Sequence, residues 1–500
     1  MPNNKVVRLF SVAPEGLNSH LCEVEVQIQR GLPCFHIVGL PEASVREAKE
    51  RVRSAILASG FNFPLGRITI NLSPGDLKKE GSHYDLPIAL GILLHTKQIP
   101  LTTDFENCII LGELGLNGQT RTTKSCFAKV ISLLEIRGYR FIIPKDNLNS
   151  LLQLRGGHFF GSSSLGDFAN QNWVNQFVSG NSSESLQDDE EIHIPIEHQE
   201  TVINALEIAA AGNHPILLVG PPGSGKTTLA RFLPQMLPEL SYEEKLSITR
   251  IHSLSGQFHQ EELMRSRPFR CPSPGVTSAA FCGGGAHAKP GEISLAHHGV
   301  LFLDEFSEFQ TTVLENLRIP MVEGKILLNR QKSQQIWPAS FLLIAAMNPC
   351  HCGWLGDREK PCKCSQTQLV RYQQKISGPL MDRFDLKIEL HRPSKAISRD
   401  FSGVSLKEIK KRVHKAREIQ KSRGKGLNTY IQGIKDIDNI SKDAEKVWSE
   451  SIKSNRLSVR ASLQVLKVAR SIADLNCRNG IEKDDVLQAI WYKSIPERTI

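Results

Sequence analysis

The chain has 500 residues, 40% of them hydrophobic and 23% charged, with a net charge of +9. That is ordinary globular composition, too long for one hydrophobic core, so two to four domains are expected. No apolar run approaches the roughly 18 residues of a membrane-spanning helix, and the opening "MPNNKVVRLFSVAPEG" lacks the apolar stretch of a signal peptide, so a cytoplasmic protein with no membrane partner and free or metal-bound cysteines is expected.

Residues 1 to about 160 read as a mixed α/β domain. "CEVEVQIQ" alternates as a half-buried strand does, and "RITINL" repeats the pattern with Ile68, Ile70 and Leu72 on one face. Between them "PEASVREAKERVRSAILASG" sets Val45, Ala48, Val52, Ala55 and Ile56 on one helical stripe, with Pro41 opening the helix and Gly60 closing it. Polar residues from Ser179 to Glu191 break all periodicity and read as a linker. From there to about Pro393, short apolar runs ("PILLVG", "GVLFLDE", "FLLIAAMN") alternate with helical stretches, the pattern of a parallel sheet covered on both faces.

Beyond Pro393 the chain reads as helical, without clear strands. Ser394 to Ile500 holds 23 Lys and Arg against 13 Asp and Glu, so this last fifth carries the whole positive excess. Its densest part, "SLKEIKKRVHKAREIQKSRGK", has nine basic residues and two acidic ones. A polyanion partner and a solvated helix face both fit such a run.

"PILLVGPPGSGKTTLARFL" places a glycine-rich loop between a buried strand and a helix. Gly220, Gly223 and Gly225 let the backbone curl so that successive N–H groups point at phosphates, while Pro221 and Pro222 stiffen the turn. Lys226 is expected to bridge the β- and γ-phosphates of ATP and Thr227 to hold Mg²⁺, with Ser224 and Thr228 completing the loop. "GVLFLDEF" ends a second buried strand in Asp304, placed for the Mg²⁺ shell, and Glu305, placed to activate water. A third strand ends in Asn348, a polar tip expected between the two motifs. "SGPLMDRFD" and "LSVRASLQVLKVAR" offer Arg383 and Arg460, which taken alone also fit ordinary surface cations.

These motifs in this order resemble the AAA+ ATPases of the magnesium-chelatase-like group, specifically the YifB/ComM family. The likeness rests on "RPF…GGG…KPGEISLAHHGVLFLDEF", "MNPCHCG", "SGPLMDRFD" and "ARSIADL", with "GLPCFHIVGLPEASVREAKERVRSA" and "KEGSHYDLPIALGIL" near the front. It spans essentially the whole chain. The resemblance implies an α/β protein in four parts: a Lon-type (S5-like) α/β domain at residues 1–165, a linker at 166–191, an AAA+ core at 192–393 and a basic helical lid at 394–500. It further implies a ring, usually hexameric, with ATP at each subunit boundary. Asn348 would then be the sensor 1 residue, Arg383 the finger entering a neighbour's site, and Arg460 the sensor 2 residue on the lid over the nucleotide. A helix-2 insert ("TSAAFCGGGAHAKPGEISLAHHG") and a hairpin ("VEGKILLNRQKSQQIWP") would point into the pore, where Lys325, Arg330 and Lys332 could meet phosphates.

The activity so implied is an ATP-driven motor on DNA, a branch-migration helicase acting during uptake of foreign DNA. A chelatase-type motor pushing on a protein partner, and a Lon-like protease or protein remodeller, are the other readings. Two departures from the family pattern stand out. "RPFR" continues "CPSPG" where Ala-Pro-His-His is usual, and "KEGSHYDLP" carries Ser82 and His83 without the glycine-rich surround of a Lon-type serine. "NGQTRTTKSCFAK" shows no clear partner lysine, so a retained fold with lost peptidase chemistry is expected. Finally, "MNPCHCGWLGDREKPCKCSQ" concentrates Cys350, Cys352, Cys362 and Cys364 directly after Asn348. Two Cys-x-Cys pairs nine residues apart can close a tetrahedral Zn²⁺ site, though reduced thiols packed in a turn also fit, and His351 is an alternative ligand.

Overall fold

The computed structural model describes residues 6–100, 103–134, 136, 138–169, 171–180, 193–194, 200–256, 262–285, 289–329, 334–357, 359–392, 404–454 and 457–494. The chain forms two compact units, Met1–Gln187 with Tyr242–Met264, and Asp188–Ser241 with Arg265–Ile500. Among the described residues no helix is long and apolar enough to cross a membrane.

The first unit is built on an eight-stranded mixed sheet. Its strand order is Val178–Ser179, His158–Ser162, Arg140–Pro144, Cys108–Ile110, Val7–Glu15, Asn18–Gln29, Arg67–Ser73 and Cys34–Val38. Ile68, Ile70 and Leu72 are buried, as their alternation predicts. The amphipathic stretch is two helices rather than one, Ala43–Arg46 and Ala48–Ala58, meeting at Glu47, with the whole expected stripe buried. Pro41 instead bridges to Lys79.

The helix Asp85–His95 is buried along its length. Asp85 at its first turn accepts two hydrogen bonds from Arg51 (Nε 2.6 Å, Nη2 2.9 Å) and one from the Leu114 N–H at 3.3 Å. Burial pushes the Asp85 carboxyl up to about 6, against the pull of Arg51 and the Leu114 N–H.

Three expectations for this unit need correction. Residues 166–180 are not linker: Leu165–Phe168 and Gln171–Gln176 form 3₁₀ turns, Phe168 and Trp173 are buried in the aromatic core, and Val178–Ser179 closes the sheet edge. Polar sequence hid this because the anchoring aromatics are widely spaced. The remaining expected linker, residues 181–191, lies outside the described residues. Tyr242–Met264, expected in the ATPase core, belongs to this unit, where Tyr242, Leu246 and Leu263 pack with Phe127, Leu133 and Phe159. Lys129, from the segment that showed no clear lysine, is buried and donates to His83 Nδ1 at 3.2 Å, while the Ser82 hydroxyl is hydrogen-bonded to Glu113. A lysine therefore does reach the serine-histidine stretch, meeting the histidine.

The second unit holds a five-stranded, all-parallel sheet ordered Phe269–Arg270, Val300–Leu303, Leu342–Met347, Ile216–Val219 and Leu386–Glu389. Every residue of the three central strands is buried, which is why they read as unbroken apolar runs. The expected insert appears as Ser278–Cys282, a Gly283–Gly284/Lys289–Pro290 pair and Glu292–Leu295. The expected hairpin pairs Lys325–Asn329 with Gln334–Pro338; Arg330 and Lys332 lie outside the described residues, and Lys325 is 3.6 Å from Glu323.

Four helices follow, Leu406–Ser422, Lys442–Lys453, Val459–Leu475 and Lys483–Lys493, after a two-residue strand Val404–Ser405 that the sequence did not announce. They share one core with the sheet and close a buried polar network over it. His214 contacts Asp385 (2.8 Å) and Ser471 (2.7 Å), and Asn428 donates to Ser471 and Asp474, both at 2.9 Å. The basic run splits along this helix. Arg412 pairs with Glu207, Arg417 donates to the Ala210 carbonyl, Lys410 meets Glu239 and Arg423 meets Asp474. Lys407, Lys411 and Lys415 stay exposed, four residues apart on one face.

Asp85 is charged only at the cost of burial, so its partner decides the stability of that helix. Arg51→Met is expected to destabilise the first unit by about 3 kcal/mol, because it strands a buried carboxylate. Hydrogen exchange of the Asp85–His95 amides should quicken accordingly. Adding Asp85→Leu should restore most of the protection, and no recovery in the double variant would place the loss elsewhere.

Candidate functional site

The parallel register sets the site. Val219 pairs with Met347 and Leu303 with Ala345, so the residues following all three strands emerge at one sheet edge, where ligands of open parallel sheets bind. The loop after Val219 runs through Gly223 (φ 78°) and Gly225 (φ 83°), left-handed backbone that glycine adopts without strain. The helix Lys226–Met236 then begins, aiming its first free N–H groups back into the loop. Pro221 and Ser224 are buried, whereas Pro222, Gly223 and Thr228 are exposed.

Lys226 Nζ donates to the carbonyls of Gly220 (2.7 Å) and Pro221 (2.9 Å), and to Asn348 Oδ1 at 3.3 Å. Burial draws the lysine pKa down while Asp304 resists, so an arriving polyphosphate would supply the counter-charge that this ammonium lacks. Thr227 Oγ1 donates to Asp304 Oδ2 at 2.8 Å. The hydroxyl and carboxylate expected to share Mg²⁺ thus already lie together, and this donor set suits a hard cation bound alongside phosphates.

Glu305 is exposed and sits in left-handed backbone (φ 53°), with its N–H on Asp304 Oδ1 at 3.0 Å. A non-glycine residue held there is strained, a condition common at functional sites. One cleft gathers Lys226, Asp304, Glu305, Asn348, Cys350 and Tyr372. Tyr372 was missed from sequence: its hydroxyl donates to the Asn348 carbonyl (2.9 Å) and contacts Ser307 (2.8 Å), fixing the asparagine from behind. Nothing in a lone tyrosine on a polar helix signals that role.

Arg383 and Arg460 are not among the residues lining that cleft. They stand near each other instead: burial first, then the like charges of Arg460 and Arg318, lower the Arg383 pKa. Arg383 Nη1 donates to the Pro379 carbonyl at 2.8 Å, while its buried Nε has no hydrogen-bond partner. Arg460 is exposed at the start of its helix. Lys493 and Gln464, also unforeseen, hold the arginine segment from below. Lys493 donates to the carbonyls of Asp382 (3.0 Å) and Phe384 (2.7 Å), and Gln464 to Asp382 at 2.9 Å. Burial brings Lys493 down to about 8.

The four thiols of Cys350, Cys352, Cys362 and Cys364 converge within 4.8 Å of one another. Sulfur separations are 3.4 Å for Cys350–Cys352, 3.7 Å for Cys350–Cys362 and 3.6 Å for Cys352–Cys362. A tetrahedral Zn²⁺ with bonds of about 2.3 Å needs sulfurs about 3.8 Å apart, so the cluster has the size of a zinc site. The Cys364 N–H also points at Cys362 Sγ (3.4 Å). Burial opposes ionisation of Cys352, but the N–H groups of Lys363 and Trp354 and the neighbouring thiols outweigh it and bring it to about 6. His351 is exposed and stands outside this group, lining the cleft.

Residues 194–397 match the family described as magnesium chelatase, subunit ChlI; residues 24–147 match subunit ChlI of Mg-chelatase, and 403–493 its C-terminal part. The chain is 38% identical over 494 residues to YifB of Escherichia coli strain K12, covering 96% of this chain and 95% of that one. It is 35% identical over 506 residues to the competence protein ComM of Haemophilus influenzae, covering 97% of each. The magnesium-chelatase 67 kDa subunit of Chlorobaculum parvum matches only 129 residues, at 26% identity, 25% of this chain and 18% of that one.

The cleft separates binding from chemistry. Lys226→Ala is expected to weaken ATP binding at least about 100-fold, since a charge-assisted contact to phosphate is lost. Glu305→Gln should leave ATP bound and slow its hydrolysis by about 10²- to 10⁴-fold. Equilibrium binding of a fluorescent nucleotide together with phosphate release tests both, and near-normal turnover in the Gln variant would remove Glu305 from the role.

Proposed function

Because the chain belongs to the YifB/ComM family of magnesium-chelatase-like AAA+ proteins, we propose that it is an ATP-hydrolysing ring motor that moves branched DNA. On this reading the loop from Gly220 to Thr228 cradles the phosphates, Lys226 faces the β- and γ-phosphates, and Glu305 takes the proton of the attacking water while Asn348 positions it. Mg²⁺ between Thr227 and Asp304 would supply charge neutralisation at the phosphates, and the thiol cluster would hold a structural Zn²⁺.

The observation that carries the ring is the placement of the arginines. Arg383 keeps a buried, unpartnered Nε beside Arg460 and Arg318 and does not line the cleft of its own chain. Arg318 is already tied to Glu315 at 2.8 Å, and Glu315 and Asp382 also face Arg383, so it is the unsatisfied Nε beside the exposed Arg460 that a phosphate from a neighbouring subunit's nucleotide would satisfy. Both Arg383 and Arg460 would then act in trans, and hydrolysis would depend on assembly, with six subunits the expected ring.

DNA as the substrate is supported by the competence protein ComM among the relatives and by the exposed Lys407, Lys411 and Lys415. A lysine stripe of this kind binds phosphates without reading bases. The short match to the chelatase 67 kDa subunit weighs against a chelatase motor. The Lys129–His83 and Ser82–Glu113 pairings weigh against a serine–lysine peptidase. ATPase measured with forked duplex, with unfolded protein and with neither decides among the readings. Stimulation by the fork and strand exchange are expected; stimulation by protein alone would overturn the DNA reading.

Arg383→Ala should cut turnover on the order of 10³-fold with ATP affinity nearly unchanged. Mixing it with Lys226→Ala should restore part of the activity, because some boundaries then pair an intact finger with an intact loop. Failure to recover at any ratio would exclude action between subunits. Replacing Lys407, Lys411 and Lys415 by Gln should weaken fork binding and flatten the salt dependence of log K by roughly 3, one phosphate contact each.

A further inference from the structure

The thiol loop is also a wall of the phosphate loop. Gly353, in left-handed backbone (φ 82°) and tied back by its N–H to the Cys350 carbonyl at 3.0 Å, lies so close to Pro222 that an added Cβ would stand 2.8 Å from the proline Cδ. From the other side Arg392 donates to the Pro222 carbonyl (Nε 3.3 Å, Nη2 3.2 Å). The same guanidinium lies over the Trp354 ring at 4.2 Å and 3.9 Å from Asp357, both inside the thiol loop. Pro222 is therefore clamped between a glycine and an arginine that both take their positions from residues 350–364.

The far end of the loop returns to the same cleft. Ser365, next to Cys364, caps the helix Gln366–Gln373, whose Tyr372 holds the Asn348 carbonyl. Few apolar contacts hold the loop: of the four cysteines only Cys350 is fully buried, and the span between the pairs is rich in charge. The convergence of the four sulfurs, three of them 3.4–3.7 Å apart, therefore restrains both Gly353 and the Tyr372 helix, alongside the Glu359 and Lys360 N–H groups that donate to Asp357.

We propose that the four thiolates bind one Zn²⁺ per chain and that this ion, by fixing Gly353 against Pro222, couples metal binding to nucleotide binding. The inference rests on the reading of the Gly220–Thr228 loop as an ATP site. Removing the metal frees the loop, lets Pro222 and Arg392 relax, and leaves the phosphate loop to be ordered by the nucleotide itself, which lowers affinity. Coupling is reciprocal, so bound nucleotide tightens the metal by the same factor.

The full-length protein is assayed for zinc by elemental analysis, and its Kd for a fluorescent ADP analogue is measured before and after treatment with a nitrogen-donor chelator that spares Mg²⁺. One zinc per chain, an affinity loss of about tenfold on its removal, recovery on adding Zn²⁺, and an equal tightening of zinc by ADP are expected. Gly353→Val, which keeps all four thiols, should retain zinc and still lose nucleotide affinity; it also serves if the double variant Cys350→Ser/Cys352→Ser does not fold. Zinc present with an unchanged nucleotide Kd on its removal overturns the coupling. No zinc after reconstitution overturns the site. A zinc-loaded protein that binds neither ATP nor ADP overturns the ATP reading and the coupling with it, while the zinc count still stands for the thiol site.

Discussion

The hydrogen-bond ladder between three parallel strands governs everything at the candidate site. Ile216–Val219 pairs in register with Leu342–Met347, and that strand with Val300–Leu303, so three chain segments far apart in sequence end within two residues of one another on one side of the sheet. Each strand is buried on both faces and must be apolar throughout. Polar chemistry begins where the apolar runs end, at Asp304 and Asn348 and in the loop that follows Gly220. Lys226 reaching Asn348, and Thr227 reaching Asp304, follow from that shared edge.

A second constraint fastens the C-terminal helices to the sheet. His214, Asp385, Ser471, Asn428 and Asp474 form one buried chain of hydrogen bonds, and breaking any link would leave a polar group unpaired in a low-dielectric interior. The helices therefore share the core of the sheet and form one unit with it. Lys493 and Gln464 extend the connection to the carbonyls beside Arg383. The Arg383 segment is thus anchored from below, and neither arginine lines the cleft of its own chain.

Charge is divided by the same logic. The basic run looked like one patch in sequence, yet Lys410, Arg412, Arg417 and Arg423 face inward to carboxylates and carbonyls of their own unit. Lys407, Lys411 and Lys415, on another face of the helix, stay exposed. The thiol loop is a parallel case, because its polar span folds so that four sulfurs converge within 4.8 Å of one another.

The sequence by itself determined the three central strands of the parallel sheet, the phosphate loop, the acidic pair and the identity of the thiol cluster. Each depends on local pattern: an apolar run of fixed length, glycines at fixed offsets, ligands of one type at short spacing. The stripe Val45, Ala48, Val52, Ala55 and Ile56 was legible for the same reason, although the break at Glu47 was not. Tertiary structure alone decided that residues 166–180 and Tyr242–Met264 join the first unit, since a few aromatic and aliphatic anchors there outweigh a polar surround. It alone set Lys129 beside His83, Tyr372 behind Asn348, Arg460 beside Arg383 and Gly353 against Pro222. Those contacts join residues separated by tens to more than a hundred positions, and no local periodicity encodes which side chains meet once the sheet has closed.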